Sequence, residues 1–244
     1  MRLLAIDIGN TNINLAIFRG NKIIKKFIIP TYDYGLGKLK PQLKNSAIDK
    51  IYICSVVPKI TKTITADLKK LTNKKAIVIG KDIFVPIKNL YRNPKHVGQD
   101  RLVNAYAAVK LYKAPAIIVD FGTAITFDII SKKGEYLGGM ILPGLGISLH
   151  CLNEKTALLP NIKLEAPREF IGRDTKQGML SGIVYGFSAL TSSLSNRIRE
   201  KIGKEALLIG TGGNISLISK FCKNFDKQDI DLTLKGIKLI SLVE

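Results

Sequence analysis

Apolar and polar positions organise the N-terminus into three short runs, Leu3–Ile8, Ile13–Phe18 and Lys22–Ile29, separated by Gly9-Asn10 and Gly20-Asn21. Short runs punctuated by Gly-Asn pairs predict three strands joined by tight turns. A polar stretch containing Gly and Lys follows, then a predicted strand at Ile51–Val56. Lys59–Leu71 has helical spacing, and Ala76–Ile79 returns to strand character. Asp100–Tyr112 sets Leu102, Ala105, Tyr106 and Val109 on one face, which predicts a helix.

The opening pattern then recurs. Ala116–Asp120 and Ile125–Ile130 predict two strands around the turn Phe121-Gly122-Thr123, and Tyr136–Met140 predicts a third. Helices are expected at Leu145–Leu152 and Thr175–Arg199. A strand at Ala206–Ile209 runs into Gly210-Thr211-Gly212-Gly213 and a further helix. The signature repeats as well: Asp7-Ile8-Gly9-Asn10-Thr11 matches Asp120-Phe121-Gly122-Thr123-Ala124, 113 residues later. Two strand meanders, each followed by alternating strands and helices, predict two similar α/β lobes, 1–112 and 113–244. One acidic, Gly-containing hairpin from each lobe suggests a cleft that holds a phosphate chain. Asp-x-Gly is also an ordinary turn sequence, so the weight lies on the two copies in matching context.

Composition narrows the class. With 46% hydrophobic residues in 244, the chain can bury a substantial core. Its net charge of +19 comes from scattered lysines, among them the pairs Lys25/Lys26 and Lys74/Lys75, with no aromatic-basic stripe. This pattern reads as a solvated basic surface that attracts anionic small molecules, and no nucleic-acid partner is expected. Cys54, Cys151 and Cys222 are too few and too widely spaced for a disulfide framework or a zinc site. Asp7 interrupts the first apolar run where a signal peptide needs it unbroken, and no apolar stretch reaches the ~20 residues of a membrane span. The expectation is a cytoplasmic protein with no membrane partner.

Phosphoryl transfer needs positive charge, donors aimed at phosphate oxygens and a group that orients the nucleophile. Gly9 lets backbone N–H groups approach phosphate, Asn10 and Thr11 add side-chain donors, and Asp7 is a candidate to hold Mg²⁺ through water. Asp120, Gly122 and Thr123 are the equivalent set in the second lobe. No Walker motif, kinase Gly-rich loop or dinucleotide fingerprint is present. His96 and His150 lack metal-ligand spacing, and Asp174 reads as a helix cap.

DIGNTNINLAIF, YRNPKHVGQDR, DFGTAITFD, GGMILPG and IGRDT…GMLSG occur in an order that resembles type III pantothenate kinases, and the likeness runs from Met1 to the closing LTLKGIKLI. It implies the actin-like (ribonuclease H-like) ATPase fold and phosphorylation of pantothenate at its terminal hydroxyl, the first step of coenzyme A synthesis. It further implies ATP, Mg²⁺, a monovalent cation (K⁺ or NH₄⁺) and a homodimer. Carried over residue by residue, it assigns Asp7, Ile8, Gly9, Asn10, Thr11, Asn12, Ile13, Asn14 and Thr123 to ATP, and Asp120 to the monovalent cation. Tyr91, Gly98, Gln99, Asp100, Arg101 and Thr175 go to pantothenate, Thr175 from the partner subunit. Asp100 is the implied catalytic base; without the motif it reads as a helix N-cap. Gln99 and Asn14 stand where the family often has a smaller residue and sometimes a lysine, respectively. Two other readings are a kinase of a different hydroxyl substrate and an ATP-binding regulator. The Tyr91…Gly98-x-Asp100-Arg101 segment argues against the first, and the absence of any DNA-binding motif against the second.

Overall fold

The computed structural model describes residues 1–243. Two compact units make up the chain. The first comprises Met1–Ile87, Arg92–Ala107 and the C-terminal segment from Leu232; the second comprises Lys88–Tyr91 and Ala108–Asp231.

The first unit is built on the strands β1 (Arg2–Ile8), β2 (Asn12–Arg19), β3 (Lys22–Pro30), β4 (Lys50–Ser55) and β5 (Ala76–Val78). They form one sheet in the order β3-β2-β1-β4-β5. β1 pairs antiparallel with β2 and parallel with β4, and β4 pairs parallel with β5. Central β1 buries Leu3, Leu4, Ala5, Ile6 and Ile8 in succession, as a strand covered on both faces must. Edge strand β3 alternates exposed and half-buried positions and carries three lysines, which discourages pairing with another chain. The helices of this unit are α1 (Leu36–Leu43), α2 (Pro58–Thr72) and the start of α3 (Gln99–Tyr112), with a C-terminal helix described below. α2 opens on a proline in its first turn and ends on Asn73 in the left-handed region.

The second unit repeats the plan. β6 (Ala116–Phe121), β7 (Ala124–Ile130), β8 (Tyr136–Pro143), β9 (Leu207–Thr211) and β10 (Lys227–Gln228) form a sheet in the order β8-β7-β6-β9-β10. β6 pairs antiparallel with β7 and parallel with β9. Its helices are α4 (Leu145–Lys155), α5 (Thr175–Ile202) and α6 (Ile215–Ile218). Asp174 caps α5 by accepting a 2.7 Å hydrogen bond from Gln177 N–H. Each central strand therefore has an antiparallel neighbour on one side and a parallel one on the other. Asp7 and Asp120 are the penultimate residues of those two strands.

Two helices lie where the sequence pattern predicts none. α1 contains Gly37 and Pro41, both of which argue against a helix, yet Leu39 and Leu43 are buried in the core. The C-terminal helix, α7 (Leu232–Ile240), buries Leu232, Leu234, Ile237 and Ile240 against the first unit's sheet. Its nine residues, interrupted by Gly236, are too few to separate helix from strand by period alone. α7 closes on α3 at Gly236, where an added Cβ would stand 2.6 Å from Val103 Cγ1 and 2.7 Å from the Val103 carbonyl oxygen.

Gly236→Ala gains about 1 kcal/mol in helix propensity but forces a packed backbone contact apart, at about 1–3 kcal/mol. A lower urea midpoint than wild type is expected. A raised midpoint would mean that α7 does not pack on α3 this closely.

Candidate active site

The β1–β2 hairpin of the first unit is held shut from below. Gly9 N–H donates to the Asn12 carbonyl at 2.9 Å, and Thr31, just past β3, donates its hydroxyl to the Gly9 carbonyl at 2.7 Å. Thr31 N–H also donates to the Thr11 carbonyl at 2.9 Å. Asn10, Thr11 and Asn12 are exposed at the tip, whereas Ile8 and Ile13 are fully buried and offer only backbone. Asn14, in register with Asp7, donates from Nδ2 to Asp7 Oδ2 at 3.3 Å.

Asp7 faces a second carboxylate, Asp100, from the start of α3. Burial first, and the Asp100 charge second, push the Asp7 carboxyl up to about 7, against the pull of the Asn14 amide. Burial raises Asp100 as well; the Arg101 N–H, which donates to Asp100 Oδ1 at 2.9 Å, and the Arg101 charge oppose it. Asp100 is the second residue of α3 and accepts from the very next N–H, so it does not act as the helix N-cap. Its Oδ1 folds back over Gly98, where a Cβ would stand 2.4 Å away. Arg101 is buried, 8% exposed. Cys54 sits beside Asp7 on β4; burial and the charges of Asp7 and Asp100 raise its thiol, which keeps it protonated.

The donor set of this unit is all oxygen (two carboxylates, an amide and a hydroxyl), which suits Mg²⁺. Among the described residues no three His, Cys, Asp or Glu side chains come together as a metal cage. Such a site fits a Mg²⁺ that keeps phosphate and water among its ligands, as a nucleotide-borne ion does.

In the second unit the Asp120 hairpin is framed by two glycine turns. Gly212 has φ +90°, and a Cβ there would stand 2.3 Å from Asp120 Oδ1. Asn214 N–H and Nδ2 both donate to the Phe121 carbonyl, at 3.1 and 3.3 Å. Gly144, which precedes α4, donates to the Thr123 carbonyl at 3.1 Å, and a Cβ on it would meet that oxygen at 2.2 Å. Thr31, Cys54, Gly144 and Asn214 carry no site signal in the sequence. Gly212 lies within the Gly210–Gly213 turn, whose glycines point either to a border of the adenosine or to the start of a helix, and Asn214 follows that turn.

Tyr91 belongs to the second unit. Lys88–Tyr91 lies along β8 through Leu90 N–H to the Tyr136 carbonyl and Tyr136 N–H to the Lys88 carbonyl, both 2.8 Å. Asn89 Oδ1 accepts from Tyr91 N–H at 3.0 Å. The Tyr91 ring, 38% exposed, rests on Gly138, which has φ +130°. Thr175 is the exposed first residue of α5 and makes no hydrogen bond to Asp120, Thr123 or Tyr91. His96 contacts Asn93 and His150 pairs with Glu154.

The family model described as type III pantothenate kinase matches residues 3–197. A type III pantothenate kinase of Finegoldia magna is 41% identical over 252 residues, covering 98% of this chain and 96% of that one. One from Dehalococcoides mccartyi (strain CBDB1) is 38% identical over 249 residues, covering 98% and 95%. Among solved structures, a Baf family protein of Campylobacter jejuni superposes with a TM-score of 0.63 at 23% identity, covering 98% of each chain. A ROK family glucokinase of Streptomyces griseus superposes with a TM-score of 0.53 at 10% identity, covering 97% and 98%. The fold is that of the actin-like ATPases and hexokinases, as the resemblance implied.

Because folding raises Asp7 from its ordinary value of 3.8 to about 7, the native state binds a proton that the unfolded chain has released across that window. This contribution to stability is full below pH 3.8 and is lost as pH rises through about 7. Without nucleotide or Mg²⁺, Asp7→Asn is expected to flatten the fall in unfolding free energy between pH 4 and 7 and to exceed wild type most at pH 8. Parallel urea-unfolding curves for the two proteins across this range would sink the assignment.

Proposed function

The chain belongs to the type III pantothenate kinase family, and on that premise we propose which of its residues carry phosphoryl transfer. The reaction it catalyses is the phosphorylation of pantothenate with ATP and Mg²⁺, at the entry to coenzyme A synthesis. The observation that carries the assignment of roles is the pairing of Asp7, at the end of β1, with Asp100, at the start of α3, inside one compact unit.

Asp100 is the catalytic residue. An alcohol is far too weak an acid to be deprotonated beforehand, so Asp100 accepts a hydrogen bond from the terminal hydroxyl and orients its oxygen toward the γ-phosphorus. As the new P–O bond forms and the bond to the ADP oxygen breaks, the hydroxyl proton passes to the Asp100 carboxylate. General-base assistance of this kind contributes roughly 10²–10⁴ in rate. The Arg101 charge and N–H beside Asp100 oppose the rise that burial imposes on that carboxylate. Residues Asp7–Asn14, together with Thr123, take the ATP phosphates, with Ile8 and Ile13 acting through backbone alone. When bound, Mg²⁺ supplies charge neutralisation at the phosphates, and Asp7 holds it through water.

Asp120 holds the monovalent cation. Its carboxylate lies against the backbone of Gly122 and Gly212. Tyr91, Gly98 and Arg101 contact pantothenate, Tyr91 with its exposed ring face and Arg101 with a planar fork suited to a carboxylate. Thr175 completes the pantothenate pocket from the partner subunit of a homodimer.

Asp100→Asn is expected to abolish phosphopantothenate formation and leave ATP binding within about twofold, because the amide keeps the shape and loses the proton acceptor. Near-normal turnover would remove Asp100 from the mechanism. Turnover in K⁺ or NH₄⁺ should exceed turnover in Na⁺, and Asp120→Asn should erase the difference. A cation response that survives in that variant would relocate the site.

A further inference from the structure

The Asp100 carboxylate is aimed by the first turn of α3, and a contact outside the phosphate hairpins fixes that turn. Gly80 has φ +85° and lies at the end of β5 in the first unit. The Gln99 side chain lies flat on its α-carbon. A Cβ at Gly80 would stand 2.5 Å from Gln99 Cδ, 2.7 Å from Cγ and 2.8 Å from Oε1, so the Gln99 side chain could not keep this position over any other residue.

The floor beneath Gln99 is stiff. Gly80 N–H donates to the Ile83 carbonyl at 2.7 Å, and Ile79 N–H to the Ile53 carbonyl at 2.8 Å. Val78 N–H donates to Asp82 Oδ2 at 2.8 Å. This loop is thereby tied to β4, whose Cys54 is in register with Asp7. The Gln99 side chain makes no hydrogen bond to another described residue, so packing is what holds it. On the far side of Asp100 the space over Gly98 receives Oδ1. The two residues before Asp100 are thus a glycine that leaves its carboxylate room and a side chain seated on a second glycine.

We propose that Gln99, seated on Gly80, is a positioning residue that fixes the first turn of α3 and so sets the Asp100 carboxylate against Asp7. The proposal rests on the reading of Asp100 as the proton acceptor. It gives Gln99 a role through the protein in place of a direct role through substrate. It also accounts for a long side chain at this position, since Gln99 fills what the bare α-carbon of Gly80 leaves open.

The test is a double-mutant cycle with full steady-state kinetics on the intact enzyme. Gln99→Ala is expected to lower kcat roughly 3- to 30-fold, because a misplaced catalytic group of about 1 Å costs up to ~10². KM for ATP stays within about twofold, and the acid limb of the kcat–pH profile moves to lower pH as Asp100 gains water. Gly80→Ala, which pushes Gln99 off its seat, should lower kcat by a similar factor in wild type and by much less in Gln99→Ala. Backbone strain at residue 80 is common to both backgrounds and cancels in the cycle. Gln99→Met, which keeps length and volume without the amide, should hold kcat within about twofold.

Equal costs of Gly80→Ala in the two backgrounds would overturn the proposal, since strain at residue 80 alone would then explain them. So would a Gln99→Ala enzyme with normal kcat and a raised KM for pantothenate, which marks direct substrate contact. Asp100→Asn run alongside separates the two levels: an inactive variant without coupling overturns the Gly80–Gln99 seat alone, whereas an active one overturns the role of Asp100.

Discussion

Two acidic side chains forced into electrostatic contact at the end of a buried strand set the terms for everything around them. Neither Asp7 nor Asp100 is comfortable as an anion there, because burial removes water and each charge opposes the other. In the resting protein the strain falls partly on protonation, with Asp7 drawn up to about 7, and partly on Arg101. Divalent charge at the phosphates would relieve it in the working complex. A site that is uncomfortable when empty favours the nucleotide–Mg²⁺ complex over bare nucleotide.

Holding such a pair in place needs rigid supports, and the sheet supplies them. β1 is buried on both faces and flanked by β2 and β4, so Asp7 cannot drift without breaking two ladders. Asp100 hangs from a helix, a separate element, and depends on local contacts at Gly98 and, in our proposal, at Gly80. The same logic recurs at Asp120, wedged against Gly212 with no room for a side chain between them. Glycine at these points leaves space for a carboxylate, a different use from its freedom in a turn.

Much of this was legible in the sequence, and the divide is physical. The strand meanders, the long α5 and the repeated Asp-x-Gly signature are local patterns, and local patterns fix local structure. The shared strand order of the two sheets follows from that repeat. α1 and α7 were not legible: Pro41 and Gly37 in the first, and only nine residues with a central glycine in the second, carry no local helix signal that survives comparison with the alternatives. Tertiary burial of Leu39, Leu43, Leu232 and Ile237 decides both. Asp7, Asp100 and Asp120 stand out in the sequence through their motifs. Thr31, Cys54, Gly80 and Gly144 do not, because each meets these groups only through a contact distant in the chain.

The charge of the whole molecule fits the same frame. The reaction brings together a polyphosphate and a carboxylate, while the pocket that activates them contains acids. Local repulsion from Asp7 and Asp100 acts over a few ångströms and gives way once metal arrives. An excess of nineteen positive charges is spread over the surface, and its field reaches about a Debye length, ~10 Å at 0.1 M salt. Near the surface that field draws both anions in, and at contact the carboxylates select the arrangement in which a cation accompanies the phosphates. Basic exterior and acidic site therefore act at different ranges on the same substrates, and the scattered placement of the lysines is what a long-range field requires.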